Sequence, residues 1–276
     1  MKKAPRFLLI LFTFSLLISG SAAGVCAQEY EPEVGQQGKD VIWVPTPNSL
    51  IEAMLDAAEL TPADFLIDLG SGDGRIVIAA AKRGARALGI EYNPEMVKLS
   101  QRNAEKESVS LLASFVEGDI FESDFSQATV ITMYLLPHLN EKLRPTILEL
   151  KPGTRIVSHA FTMGEWEADQ TIHKEGRTAY LWIVPAKVEG AWEWHEGSEL
   201  ATLRLTQNFQ KIEGELTMQG NTQPIVNAEL RGDQINFAWG KHHYSGKVDS
   251  NGIHGMVQLE NGEIAWTAAR ALRAGK

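Results

Sequence analysis

Residues 68–75 read Asp-Leu-Gly-Ser-Gly-Asp-Gly-Arg and follow the apolar run Phe65-Leu66-Ile67. An apolar strand that runs through Gly-x-Gly-x-Gly into a helix has a specific use. Gly70, Gly72 and Gly74 permit a tight turn and let a ligand lie against bare backbone. The helix start offers free N–H groups, which in dinucleotide enzymes hold a pyrophosphate. Here Asp68 precedes the loop, Asp73 lies inside it, and Ser71 separates the first two glycines. Carboxylates repel a pyrophosphate and suit a ligand that carries a cation, such as an ammonium group beside a sulfonium. Glu91 ends a second apolar run, where a carboxylate can accept both hydroxyls of a ribose. Asp119 ends "FVEGD", in place to take the exocyclic amine of an adenine. Three acidic residues therefore stand at the carboxyl ends of three successive strands, the edge at which open α/β sheets bind ligands.

Hydrophobic periodicity supplies the elements that position these residues. Strands are expected at 65–69, 87–91, 114–119, 128–137, 154–161 and 179–185, with 170–175 as a short partner. Helices are expected after Thr46, read as the N-cap with Pro47 as first helical residue, then at 75–82, from Asn93-Pro94 toward Lys106, and at 139–150 with a break at Pro145. Strands alternating with helices imply a largely parallel sheet covered on both faces. After Pro185 the pattern changes to short alternating runs separated by turns such as "QGNT", "RGDQ" and "DSNG". That pattern indicates an antiparallel sandwich or small barrel. Ile235, Phe237 and Trp239 share one face of it, as do Trp192 and Trp194, for which core packing is the default. The expected organisation is a signal at 1–27, a mobile leader at 28–40, an α/β domain at 41–185 and an antiparallel β domain at 186–276.

The first 27 residues are different in kind. Lys2, Lys3 and Arg6 precede an apolar stretch over 7–18 and then small residues up to Ala27. This is the order of a secretory signal, too short to span a bilayer, with cleavage expected after Ala27. Export to the periplasm or medium follows. An uncleaved membrane anchor is the alternative, and lipidation at Cys26 ranks behind cleavage. Cleavage removes the only cysteine, so no disulfide or cysteine metal site is expected. It also removes three of 26 basic residues and no acidic ones, taking the net charge from −9 to −12. An acidic surface argues against nucleic acid as a partner.

The stretches "DLGSGDGR", "GIEYNP" and "FVEGD" resemble the first motifs of class I S-adenosylmethionine-dependent methyltransferases. Over about residues 41–167, "VPTP", "ATVITMYLLP", "LKPGTRIVSH" and "MGEW" resemble the small protein-lysine methyltransferases related to the mitochondrial ATP-synthase c-subunit lysine methyltransferase. The resemblance implies a Rossmann-like seven-stranded sheet with an antiparallel last strand, and S-adenosylmethionine as cofactor. It implies cofactor contacts at Asp68, Gly70, Gly72, Glu91 and Asp119, and Ser71, Asp73 and Gly74 of the same loop join them as candidates. "YLLP", 134–137, falls where the family places a substrate-side motif. Tyr134 is the candidate positioning group there, Leu135 and Leu136 the apolar walls, and Pro137 the residue that fixes the turn. Pro45 and Thr46 are placed to close over the methionine end.

Two functional readings stand. One is a methyltransferase acting on a protein or small-molecule acceptor, with protein lysine favoured. The other is an exported adenosyl-ligand or partner-binding protein without turnover. A dehydrogenase ranks third. Ser158 and His159 lack a nucleophile elbow, so a hydrolase is set aside and His159 is read as a satisfied strand-end residue. Adjacent His242 and His243 point to opposite faces, which disfavours a metal site. The β domain lies outside the resemblance and is open to a partner, a lipid or a glycan.

Overall fold

The computed structural model describes residues 30–271. The expected signal and its cleavage site lie outside the described residues.

Seven strands form the first sheet: β1 (Phe65–Leu69), β2 (Arg86–Glu91), β3 (Ala113–Glu117), β4 (Val130–Met133), β5 (Arg155–His159), β6 (Gln170–Lys174) and β7 (Arg177–Ile183). Their order is β3-β2-β1-β4-β5-β7-β6. The first five run parallel, and β7 enters antiparallel between β5 and β6. Four helices accompany them: α1 (Asn48–Ala57), α2 (Arg75–Lys82), α3 (Pro94–Lys106) and α4 (Pro137–Ile147). Alternate residues of each central strand feed two cores. Leu66, Val130 and Val157 pack in one with α1 and α2, and Ile67, Ile131 and Ile156 pack in the other with α4. Burial on both faces is why these strands read as continuous apolar runs.

Several boundaries differ from the sequence reading. β4 stops at Met133, so Tyr134 lies just beyond the strand. β3 stops at Glu117, which leaves Asp119 on the loop that follows. The N-cap of α1 is Pro47, because the Thr46 hydroxyl is engaged by His159. Pro145 does not break α4, which continues to Ile147. It lies within the last turn, where the lost N–H removes a single bond. The reading of 28–40 as a mobile leader misses a folded turn. Gly35 N–H donates to the Trp43 carbonyl at 2.8 Å, Trp43 N–H to that of Gln36 at 2.9 Å, and Gly38 N–H to that of Val41 at 2.9 Å.

The remaining strands are β8 (Gly190–Glu196), β9 (Glu199–Asn208), β10 (Lys211–Met218), β11 (Asn221–Pro224), β12 (Val226–Arg231), β13 (Gln234–Trp239), β14 (His242–Val248), β15 (Ile253–Leu259) and β16 (Gly262–Arg270). They form one antiparallel meander in which β16 returns to pair with β8, so the sheet is a nearly closed barrel with β11 and β12 at its two ends. The Ile225 N–H donates to the Gly214 carbonyl at 2.9 Å, which extends the β10–β11 pairing by one residue. Trp194, Phe237, Tyr244 and Trp266 fill the interior, with Phe237 stacked on Tyr244 at 4.8 Å and Trp194 against Trp266 at 4.9 Å. The barrel meets the first sheet where the Trp166 indole donates to Gln210 at 3.0 Å and the Ala186 N–H to the Gly232 carbonyl at 2.7 Å.

Candidate active site

The glycine loop joins β1 to α2. Gly70, Gly72 and Gly74 have φ of +82°, +55° and +81°, a region that L side chains enter at a cost. Its amides are largely taken up by the protein. Gly70 and Ser71 N–H both donate to the Ile90 carbonyl, and Gly74 N–H donates to that of Ser71. Gly72 N–H donates to Glu91 Oε2 at 2.9 Å, and Asn93 N–H to Oε1 at 2.9 Å. Glu91 is thus the pin that sets the loop's curvature, with lone pairs left over on both oxygens.

A cavity of about 540 Å³ opens above this loop. Asp68, Gly70, Ser71, Gly72, Asp73, Glu91, Asp119 and Tyr134 all line it, and so do Pro45, Thr46, Leu135 and Leu136. Two candidates do not. Gly74 lies behind the loop, where a Cβ would sit 2.6 Å from Ser100 Cβ and 2.7 Å from the Phe115 ring. It is glycine because α2 passes close to α3 and β3. Pro137 is an exposed first residue of α4 and starts that helix. Ser71 turns its buried Oγ toward β2, 2.5 Å from where a Gly89 Cβ would stand.

The aspartates of the rim differ electrostatically. Asp68 is 3% exposed and accepts a 2.7 Å bond from Thr132 Oγ1. Burial pushes its carboxyl up to about 7; the Thr132 bond opposes this, and the charges of Glu91 and Asp73 add to it. A cation bound beside Asp68 would reverse that shift. Asp73 is matched by Arg75, with Nη2 2.6 Å from Oδ2, which weakens the repulsion of a pyrophosphate that the sequence suggested. Asp119 pairs with Lys39 and accepts from the Phe121 N–H at 3.0 Å. Lys39, ahead of the backbone bond, holds the Asp119 carboxyl below its ordinary value.

Lys39, Trp43, Arg75 and Thr132 were missed in the sequence. Lys39 and Trp43 come from the folded turn at 33–43, whose polar composition carries no strand or helix period. Trp43 lies on the loop itself, its Nε1 2.7 Å from where a Gly72 Cβ would stand. His242 and His243 contribute no site, and among the described residues no group of three His, Cys, Asp or Glu side chains could hold a metal.

At the far wall the Tyr134 and His159 rings lie 3.8 Å apart between centroids, and Phe161 stacks on Tyr134 at 6.1 Å. His159 Nδ1 is 3.0 Å from Thr46 Oγ1, and burial, with Arg177 adding, pushes the imidazole down to about 4.

The donor set fits an adenosyl ligand with a positive methionine end: bare backbone at Gly70 and Gly72, acidic side chains along one rim, and room of the right order. The strand order with β7 antiparallel, the loop and the acidic rim together define a class I S-adenosylmethionine-dependent methyltransferase. Residues 68–170 match the family model described as the ANTKMT methyltransferase domain. A protein-lysine N-methyltransferase of Saccharolobus islandicus is 44% identical over 151 residues, which cover 52% of this chain and 94% of that protein. The chain belongs to this family of methyltransferases. The ATP synthase c-subunit lysine N-methyltransferase of Rattus norvegicus is 39% identical over 125 residues, 44% of this chain and 56% of its own length. The solved RNA methyltransferase of Salinibacter ruber, in complex with S-adenosyl-L-homocysteine, is 50% identical with a TM-score of 0.51, covering 52% of this chain and 96% of its own.

Proposed function

We propose that the chain methylates the side-chain amine of a protein lysine. The observation that carries this is the apolar and aromatic part of the cavity lining, built from Tyr134, Leu135, Leu136 and Phe161. A lysine nucleophile must first lose a proton, and an apolar slot that desolvates the ammonium lowers its pKa and helps. Bound in the cavity, S-adenosylmethionine supplies a methyl group on a sulfonium, a leaving group that needs no activation. The new carbon–nitrogen bond forms as the carbon–sulfur bond breaks, its electron pair stays on sulfur, and the amine proton passes to water. The chain's part is alignment and exclusion of water. Tyr134 offers a hydroxyl to orient the amine, Leu135 and Leu136 keep water out, and Asp68 and Glu91 hold the opposite end. The names of the Saccharolobus and rat relatives support the same acceptor.

An RNA acceptor is the second reading, favoured by the Salinibacter relative. The chain's net charge of −9 opposes it. Incubation with methyl-tritiated S-adenosylmethionine, lysine-containing peptides and total RNA separates the two, with Glu91→Ala as control. Label recovered in methyl-lysine supports the proposal. Label in RNA alone replaces it, and tight S-adenosylhomocysteine binding with no label anywhere supports the reading without turnover.

The basic, apolar and small-residue order of 1–27 supports export with cleavage after Ala27. The mass of the native chain and its compartment test this. With the barrel interior filled by aromatic side chains, a second partner, a lipid or a glycan would meet the barrel's outer surface.

A further inference from the structure

We propose that His159 is a positioning residue for methyl transfer: it fixes the Tyr134 ring at the acceptor wall and, through Thr46, ties that wall to Arg75 and the glycine loop. This rests on the reading of Tyr134 as part of the acceptor wall. His159 itself does not line the cavity, but Thr46 and Tyr134 do. Its imidazole is 1% exposed and lies against Tyr134 with 3.8 Å between ring centroids. Nδ1 meets the Thr46 hydroxyl at 3.0 Å, and the Thr46 carbonyl accepts from Arg75 Nη1 at 3.1 Å. Arg75 in turn holds Asp73 of the loop. Five residues from four parts of the chain thus connect the glycine loop to Tyr134.

Two features argue that this is more than core filling. A buried imidazole at the end of a strand needs only a polar partner, yet this one also supports the Tyr134 ring, on which Phe161 stacks as well. The backbone is then bent to bring Phe161 back. Ala160 has φ of +66°, a left-handed conformation that costs a non-glycine residue free energy. It is held there by its N–H bond to the Thr178 carbonyl at 2.8 Å, and the Phe161 N–H folds back to the His159 carbonyl at 2.9 Å. The strained turn places His159 and Phe161 as two supports for one tyrosine. The neutral imidazole suits the role, since a hydroxyl partner serves either tautomer and Arg177 nearby disfavours a cation.

The test uses the full chain with ring-labelled tyrosine, the Tyr134 signals being those lost in Tyr134→Phe. In the wild type the imidazole ring current displaces these signals. In His159→Gln that displacement is lost and only the effect of Phe161 remains, while S-adenosylhomocysteine affinity stays within roughly threefold. Thr46→Val, which removes only the bond to Nδ1, shifts and broadens the same signals. On lysine-containing peptides His159→Gln lowers kcat by roughly tenfold to a hundredfold with KM little changed. His159→Phe, which keeps a ring, recovers most of that loss. Unchanged Tyr134 signals in both His159→Gln and Thr46→Val overturn the proposal, and so does equal inactivity of His159→Phe and His159→Gln. If the wild type itself labels no peptide, the acceptor reading fails, and the tyrosine signals still decide whether His159 holds the ring.

Discussion

Gly74→Ala separates two accounts of the third loop glycine. A ligand-contact account says that a methyl group there blocks the cofactor. The structure says that it blocks the fold. An ideal Cβ at 74 stands 2.6 Å from Ser100 Cβ and 2.7 Å from two atoms of the Phe115 ring, against an ordinary contact of about 3.5–4.0 Å. Ser100 is fully buried on α3 and Phe115 is buried on β3, so neither can withdraw into solvent. Overpacking of this kind costs about 1–3 kcal/mol, and alanine at φ +81° adds about 1–2 kcal/mol. A loss of roughly 2–5 kcal/mol lowers the melting temperature of a domain of this size by about 4–20 °C. The assay is calorimetric unfolding of the full chain without ligand, followed by S-adenosylhomocysteine titration well below the transition. Folded Gly74→Ala is expected to bind within a few fold of wild type. Gly70→Ala provides the contrast. Its Cβ meets only Leu135 Cδ2, at 3.4 Å on the cavity wall, so it is expected to lose only the backbone cost of about 1–2 kcal/mol at φ +82° and, unlike Gly74→Ala, to weaken binding as well. A Gly74→Ala chain that melts with the wild type yet no longer binds would refute the packing argument.

Asp68, held near 7 when folded against an ordinary value of 3.8, keeps a proton that the unfolded chain releases. Ligand-free stability therefore falls as pH rises from about 4 to 7, by an amount on the order of 4 kcal/mol, and is level above that. Asp68→Asn is expected to abolish this slope, as read by denaturant titration across that range. An ammonium group placed beside Asp68 favours the ionised form, so S-adenosylhomocysteine should bind more tightly at pH 8 than at pH 5, with proton release at pH 5 that calorimetry in two buffers detects. Lys39→Met frees the Asp119 carboxylate and is expected to strengthen binding at low salt, with the difference closing at high salt. Glu91→Gln leaves one of the Gly72 and Asn93 amides without an acceptor, a loss of about 1–3 kcal/mol. Affinity should drop tenfold or more, and an unchanged titration would show that Glu91 does not shape the loop.

The sheet was legible because its strands announce themselves. A parallel strand buried on both faces reads as apolar throughout, as Leu66, Ile67, Val130 and Ile131 do, and a helix of 3.6-residue period follows β1, β2 and β4. The barrel was legible from alternation, although alternation alone left sandwich and barrel open. Closure depends on whether β16 reaches β8, and that pairing of Arg270 with Trp192 spans 78 residues that no local pattern reports. Pattern also located the acidic rim but not its chemistry. Asp68 and Asp73 look alike in the sequence, yet one is buried on Thr132 and the other is matched by Arg75 two residues on. Lys39 and Trp43 were invisible for a different reason. They belong to a turn held by its own backbone bonds and by contact with a loop about 30 residues later, and irregular segments carry no period.

Exclusion of a dinucleotide accordingly has a different physical basis from the one the sequence suggested. Asp73 is paired with Arg75, which offsets much of its repulsion. What a pyrophosphate needs is a row of unengaged amides at the helix start, and here Gly70, Ser71, Gly72 and Gly74 have all given theirs to Ile90, Glu91 or Ser71. The four engaged amides leave the loop with curvature but few donors. Beside it stand Asp68, buried with no cation to match it, and Glu91, with acceptor capacity to spare. A ligand that brings an ammonium, a sulfonium and ribose hydroxyls satisfies both, whereas one that brings phosphates satisfies neither. The three glycines reach this result by separate routes. Gly70 leaves the wall open beside Leu135, Gly72 admits the Trp43 indole, and Gly74 lets α2 settle on Ser100 and Phe115. One motif in the sequence therefore holds three independent requirements, and substitution at each should fail in its own way.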